Sequence, residues 1–137
     1  MLGQWRTDSQ KSAELKLVHT KNIVKTHLEL GYDVVLPFLL QNTEHAEEYL
    51  TLASGVGADF YEFYLDIPKD EAVARLLKRG SWGESGLPAL TDKDIPRIES
   101  LFESMSDAVL NRKNTICIRP QEGKIEETYQ ELVSYLD

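Results

Sequence analysis

The chain has a single cysteine, Cys117, so no disulfide framework is encoded. It has no apolar run approaching the ~20 residues that cross a bilayer, and membrane insertion is not expected. Histidine is scarce: His19, His27 and His45 stand at no H-x-x-x-H or Cys/His ligand spacing, which removes the usual zinc motifs. Gly83-Glu84-Ser85-Gly86 lacks the G-x-S-x-G frame of a nucleophile elbow, so serine hydrolysis has no support. Basic side chains are outnumbered 15 to 23, a net charge of -8, and such a surface repels nucleic acid and anionic lipid. The opening MLGQWRTDSQK has no apolar stretch behind its charges, and a reducing cytoplasm is the expected compartment.

What is present is an ordinary globular composition, 42% apolar and 28% charged, over 137 residues, which suits one domain spanning 1–137. Ala13, Leu17, Val18, Ile23, Val24 and Leu28 recur near helical period until Gly31, predicting a long amphipathic helix. Tyr32 to Leu36 (YDVVL) is β-branched and almost wholly apolar, the pattern of a strand covered on both faces, with Pro37 marking its end. A capped helix through Ala46, Leu50 and Ala53 follows, then a strand over Phe60 to Leu65. Asp66-Ile67-Pro68 opens a third helix ending at Arg79-Gly80, with Asp66 favoured as its cap over orienting a lid residue or a metal-bound water. Glycines 80, 83 and 86 then predict an exposed loop. A helix from Asp92 to Lys113, a strand from Thr115 to Ile118 and a helix from Ile125 to Leu136 complete the chain.

Strands separated by helices imply parallel pairing, hence an α/β domain with a parallel sheet and helices on both faces. Ligands of such sheets sit beyond the carboxyl ends of the strands, which directs attention to Pro37 to Thr43, Asp66 to Pro68 and Arg119 to Gly123. Arg75 and Arg79 are four apart and share a helix face beside the glycine loop. Two guanidinium forks suit one polyanion or a purine face. Alternatively they complement the helix dipole and pair with Asp70 or Glu71, and spacing alone favours this second reading. Trp82 either docks on a ligand or rests on a neighbouring helix. His45, in the first turn after the first expected strand, is weighed as a site residue but better read as structural.

The order GYDVVLPFLL, a capped helix, GADFYEFYLDIPKDEAVARLLKRG, a glycine loop, a helix and TICIRPQEGKIEETYQELVSYLD resembles the small P-loop kinases. The likeness is to the adenylate-, gluconate- and shikimate-kinase-like group, and nearest to the tunicamycin-resistance type of ATP-binding protein. It covers about Asp8 to Asp137. The resemblance implies an ATP-dependent, magnesium-assisted phosphotransferase acting on a small molecule. Carried over by position, Arg75 and Arg79 act on the phosphates or adenine of ATP, and residues 80–92 form the lid. Arg119, Pro120, Gln121, Glu122 and Gly123 frame the adenine, and Arg6 meets the phosphoryl acceptor.

The sequence departs from that family in one decisive respect: no G-x-x-x-x-G-K-[ST] stretch occurs. That loop cradles the β- and γ-phosphates and its hydroxyl holds magnesium, so the chain alone is expected to turn over no ATP. Pro37 also stands where an acidic magnesium partner is expected. The resemblance further implies a strand, phosphate loop and helix ahead of Met1, as in an N-terminally truncated P-loop domain. The implied strand would lie between Val34-Leu36 and Phe63-Leu65, which without it stand about 10 Å apart, against a ~4.8 Å ladder spacing. Orphaned backbone groups at roughly 1–3 kcal/mol each would rival a net stability of about 5–15 kcal/mol. The sheet is therefore expected to pair differently, to take strands from a partner, or to belong to a longer kinase. The alternative function is a noncatalytic acidic α/β module that binds or oligomerises through its open sheet edge. A flavodoxin-like ligand-binding domain is a third reading.

Overall fold

The computed structural model describes residues 9–38, 40, 42–82 and 88–136. The chain divides into two compact units, residues 1–40 with 44–60 and residues 41–43 with 61–137.

The first unit contains α1 (Ser9–Glu29) and, from Glu44 onward, α2 (Thr43–Gly55). Its buried side chains are Val24 of α1 and Ala46, Tyr49 and Ala53 of α2, the last three at the three-and-four spacing that puts them on one helix face. Lys21 of α1 pairs with Glu48 of α2, whose carboxylate also meets His45 Nδ1 at 3.2 Å. These contacts hold the Glu48 carboxyl below its ordinary value, the hydrogen bond from Lys21 contributing most and that from His45 next. The Tyr49 hydroxyl is buried without a hydrogen-bond partner, and burial raises its pKa, helped by the charge of Glu48.

Tyr32 to Leu36, expected as a strand, is irregular. A strand exists only as one half of a ladder, and among the described residues this run has no ladder partner. Tyr32 is well exposed and Val35 almost fully so, while Val34 and Leu36 are half-buried.

The second unit runs β1 (Glu62–Leu65), α3 (Lys69–Arg79), a 3-10 turn at Asp92–Asp94, α4 (Ile95–Leu110), β2 (Thr115–Ile118) and α5 (Ile125–Val133). β1 and β2 form a two-stranded parallel sheet, with Glu62 opposite Thr115 and Leu65 opposite Ile118. The coarse α/β expectation therefore holds, with helices and a parallel strand pair. Val73 of α3, Leu90, Ile98 and Val109 of α4, and a fully buried Ile118 form this unit's core. Tyr64 and Ser106 share a hydrogen bond of 2.8 Å between β1 and α4. Lys69 reaches Glu103 at 2.9 Å, a hydrogen bond that raises the lysine's pKa.

Sequence signals for the helix ends are realised at α3 and α4. Gly80 caps α3 with φ +74, a left-handed conformation that glycine adopts without a Cβ penalty, and its N–H reaches the Leu76 and Leu77 carbonyls. Thr91 and Asp94 form a reciprocal capping box ahead of α4, which carries Pro96 in its first turn. The loop between α3 and α4 is pinned at its base, where Leu90 N–H donates to the Gly80 carbonyl at 3.0 Å.

Candidate functional site at the carboxyl ends of the strands

Parallel pairing brings two charged residues together just past the strands. With Leu65 opposite Ile118, the next residues along the two chains are Asp66 and Arg119. Asp66 N–H continues the ladder to the Ile118 carbonyl at 2.8 Å, and its carboxylate accepts from Arg119 Nη2 at 2.9 Å. Asp66 thus corrects its expected role. The residue ahead of α3 is Pro68, no side chain caps the helix, and the carboxylate serves the guanidinium instead.

From Arg119 the chain turns sharply. Lys124 N–H closes on the Gln121 carbonyl at 3.1 Å, with Gly123 at φ +77 in the left-handed region. A side chain at Gly123 would meet nothing within 4 Å, so backbone conformation alone selects glycine there. This turn launches α5, which presents Ile125, Tyr129 and Leu132 at helical spacing.

Between the turn, α5, Leu65 at the end of β1 and Arg75 of α3 lies an open groove of about 460 Å³. Ligand sites of proteins usually span about 300–1,000 Å³. Its lining is mainly apolar: Leu65, Pro120, Ile125, Tyr129 and Leu132. Ile125 is 84% exposed despite being the first residue of an amphipathic helix. An adjoining depression of about 130 Å³ shares Gln121 and Thr128 with the groove and adds Arg119 and Lys124.

The expected site residues separate. Arg75, Gln121 and Gly123 line the groove together with Pro120 and Glu122. Arg119 lines the adjoining depression. Arg79 lines neither, and its Nε donates to the Ser81 carbonyl at 3.0 Å. The two arginines of α3 thus have separate partners, since Arg75 pairs with Glu71 one turn earlier. That pairing is the one helical spacing favoured. Trp82 rests on a helix, with the Arg97 guanidinium of α4 5.2 Å from its ring centre. Arg6 lies outside the described residues, as do residues 83–87 of the expected lid.

Sequence reasoning missed Ile125, Thr128 and Tyr129, because a three-and-four spacing of apolar residues reads equally as a core face. The available signal was their position directly after the glycine turn at a strand's carboxyl end. Among the described residues, no group of three or more His, Cys, Asp or Glu side chains is placed to hold a metal ion, and no helix is long and apolar enough to cross a membrane.

No family model, curated protein or solved structure matches the chain.

Proposed function

We propose that the chain is the base-holding part of a P-loop kinase-like phosphotransferase, built to bind ATP through the groove beyond β1 and β2. One observation carries this reading: Arg75, Gln121 and Gly123, assigned to the nucleotide from sequence order alone, line a single groove although they lie up to 48 residues apart. The apolar floor of Leu65, Ile125 and Tyr129 suits a planar ring, and the guanidinium of Arg75 suits its face. Arg119 and Arg79 lie outside that groove, and the reading does not rest on them. A small-molecule hydroxyl or similar group would be the phosphoryl acceptor.

The chain's contribution is to binding. It has no G-x-x-x-x-G-K-[ST] stretch to support a transferring phosphate, and its described residues offer magnesium no cluster, so no step is assigned to that ion. The purified chain is expected to release no ADP from ATP, while ATP raises its melting temperature by mass action. Arg75→Ala should abolish the increase. Steady ADP release that Arg79→Ala eliminates would show a working active site and overturn the binding-only assignment, while an unchanged melting temperature at saturating ATP would remove the nucleotide reading.

A second reading has its own support. Leu15, Val18, Ile23, Leu30, Tyr32 and Val35 are exposed along α1 and the segment that follows it. A noncatalytic module that oligomerises would cover them. Mass in solution separates the readings: a stable dimer indifferent to ATP supports the module, and an ATP-stabilised monomer supports the kinase-like part.

A further inference from the structure

Both arginines at the site already have carboxylate partners within the chain. Glu71 precedes Arg75 by one turn, the orientation in which an acid and a base on a helix attract most, and the pair is formed. Asp66 faces Arg119 because the ladder register places them side by side, at 2.9 Å. Glu122 adds an unbalanced negative charge to the groove lining. With Lys124, Glu127 and Glu131 of the adjoining depression, three cations stand among five carboxylates, and the local field repels an anion. Each carboxylate holds one Nη2 of its arginine, so an incoming phosphate meets a guanidinium whose charge is already offset, although other N–H donors remain. An uncharged ring is not affected by that offset, because a guanidinium paired through its edge keeps its face free for stacking.

We infer that Asp66 and Glu71 set the charge selectivity of the groove: each offsets the charge of a guanidinium that would otherwise attract an anion, so the unaided chain takes the ring of a nucleoside and discriminates against its phosphates. This rests on the nucleotide reading of the groove and names the two residues that tune it. Their influence acts through the arginines, so they are positioning residues.

The test compares the full chain with Asp66→Asn, Glu71→Gln and the double variant, titrated with adenosine, ATP and inorganic pyrophosphate by calorimetry at fixed ionic strength. In the unaltered chain, adenosine should bind as tightly as ATP or up to about three-fold more tightly, since surface pairs and nearby charges are each worth only a few-fold in affinity. Removing each carboxylate should strengthen ATP and pyrophosphate roughly three-fold, and the double variant roughly ten-fold, with adenosine unchanged. Unchanged melting temperatures confirm that the variants fold. Pyrophosphate affinity equal in the unaltered chain and the double variant overturns the inference, as does an unaltered chain that prefers ATP over adenosine ten-fold or more. If pyrophosphate binding rises as expected while adenosine binds none of the proteins, the carboxylates gate an anion site and the nucleotide reading is the part that fails.

Discussion

The short β1–β2 ladder carries an acid–arginine pair at each end, and the two ends are built for different purposes. At the amino end, Glu62 pairs with Arg112 and also accepts from Thr115 Oγ1 at 3.0 Å. The side chains there are 6% exposed for Arg112 and 15% for Glu62. At the carboxyl end, Arg119 is 78% exposed and Asp66 31%. A half-buried pair costs more to break than an exposed one, because less water reaches the surviving charge, whereas an exposed pair gives up little when a carboxylate is replaced by solvent or ligand. The amino end therefore holds a pair that resists exchange. The carboxyl end, where ligands of parallel sheets bind, keeps charges that can be exchanged.

The comparison breaks most easily at Glu62. Glu62→Ala removes the acid beside a half-buried Arg112, which keeps Thr43 Oγ1 at 3.4 Å, and should cost about 2 kcal/mol, read as a lower urea midpoint with an unchanged slope. Asp66→Ala removes the chemically similar pair at the other end and should cost no more than about 1 kcal/mol in the same assay. Equal losses would erase the distinction between the two ends. The smallest effect concerns Glu48 in the other unit, an exposed carboxylate. Its pKa is held below the ordinary 4.5, so the stability it contributes is complete above that value and is lost as pH falls through the lowered one. Glu48→Gln should flatten the acid limb of the urea midpoint plotted against pH, and a limb identical to that of the unaltered chain would refute its part in acid sensitivity.

Much of this was legible from local patterns. Gly80 and Gly123 mark turns because the backbone there is left-handed, and Thr115 to Ile118 is a strand because four residues, two of them isoleucines, stand between turn signals. Tyr32 to Leu36 carries the same pattern and forms no strand, since pairing is a property of a neighbour and not of the segment. The site divided in the same way. Gln121 and Gly123 followed from the rule that loops at strand ends bind ligands. The partnership of Asp66 with Arg119 did not, because it depends on a register between residues 53 apart that no local motif encodes. Asp66 before Ile67-Pro68 therefore read as a cap.

The nucleotide reading is tested most directly by titrating the isotope-labelled chain with ATP and following backbone amide shifts. Shifts concentrated at Gln121, Gly123, Thr128 and Tyr129, saturating with ATP and absent in Arg75→Ala, are the predicted result. Amides of the groove that stay still while ATP is added to excess would contradict it.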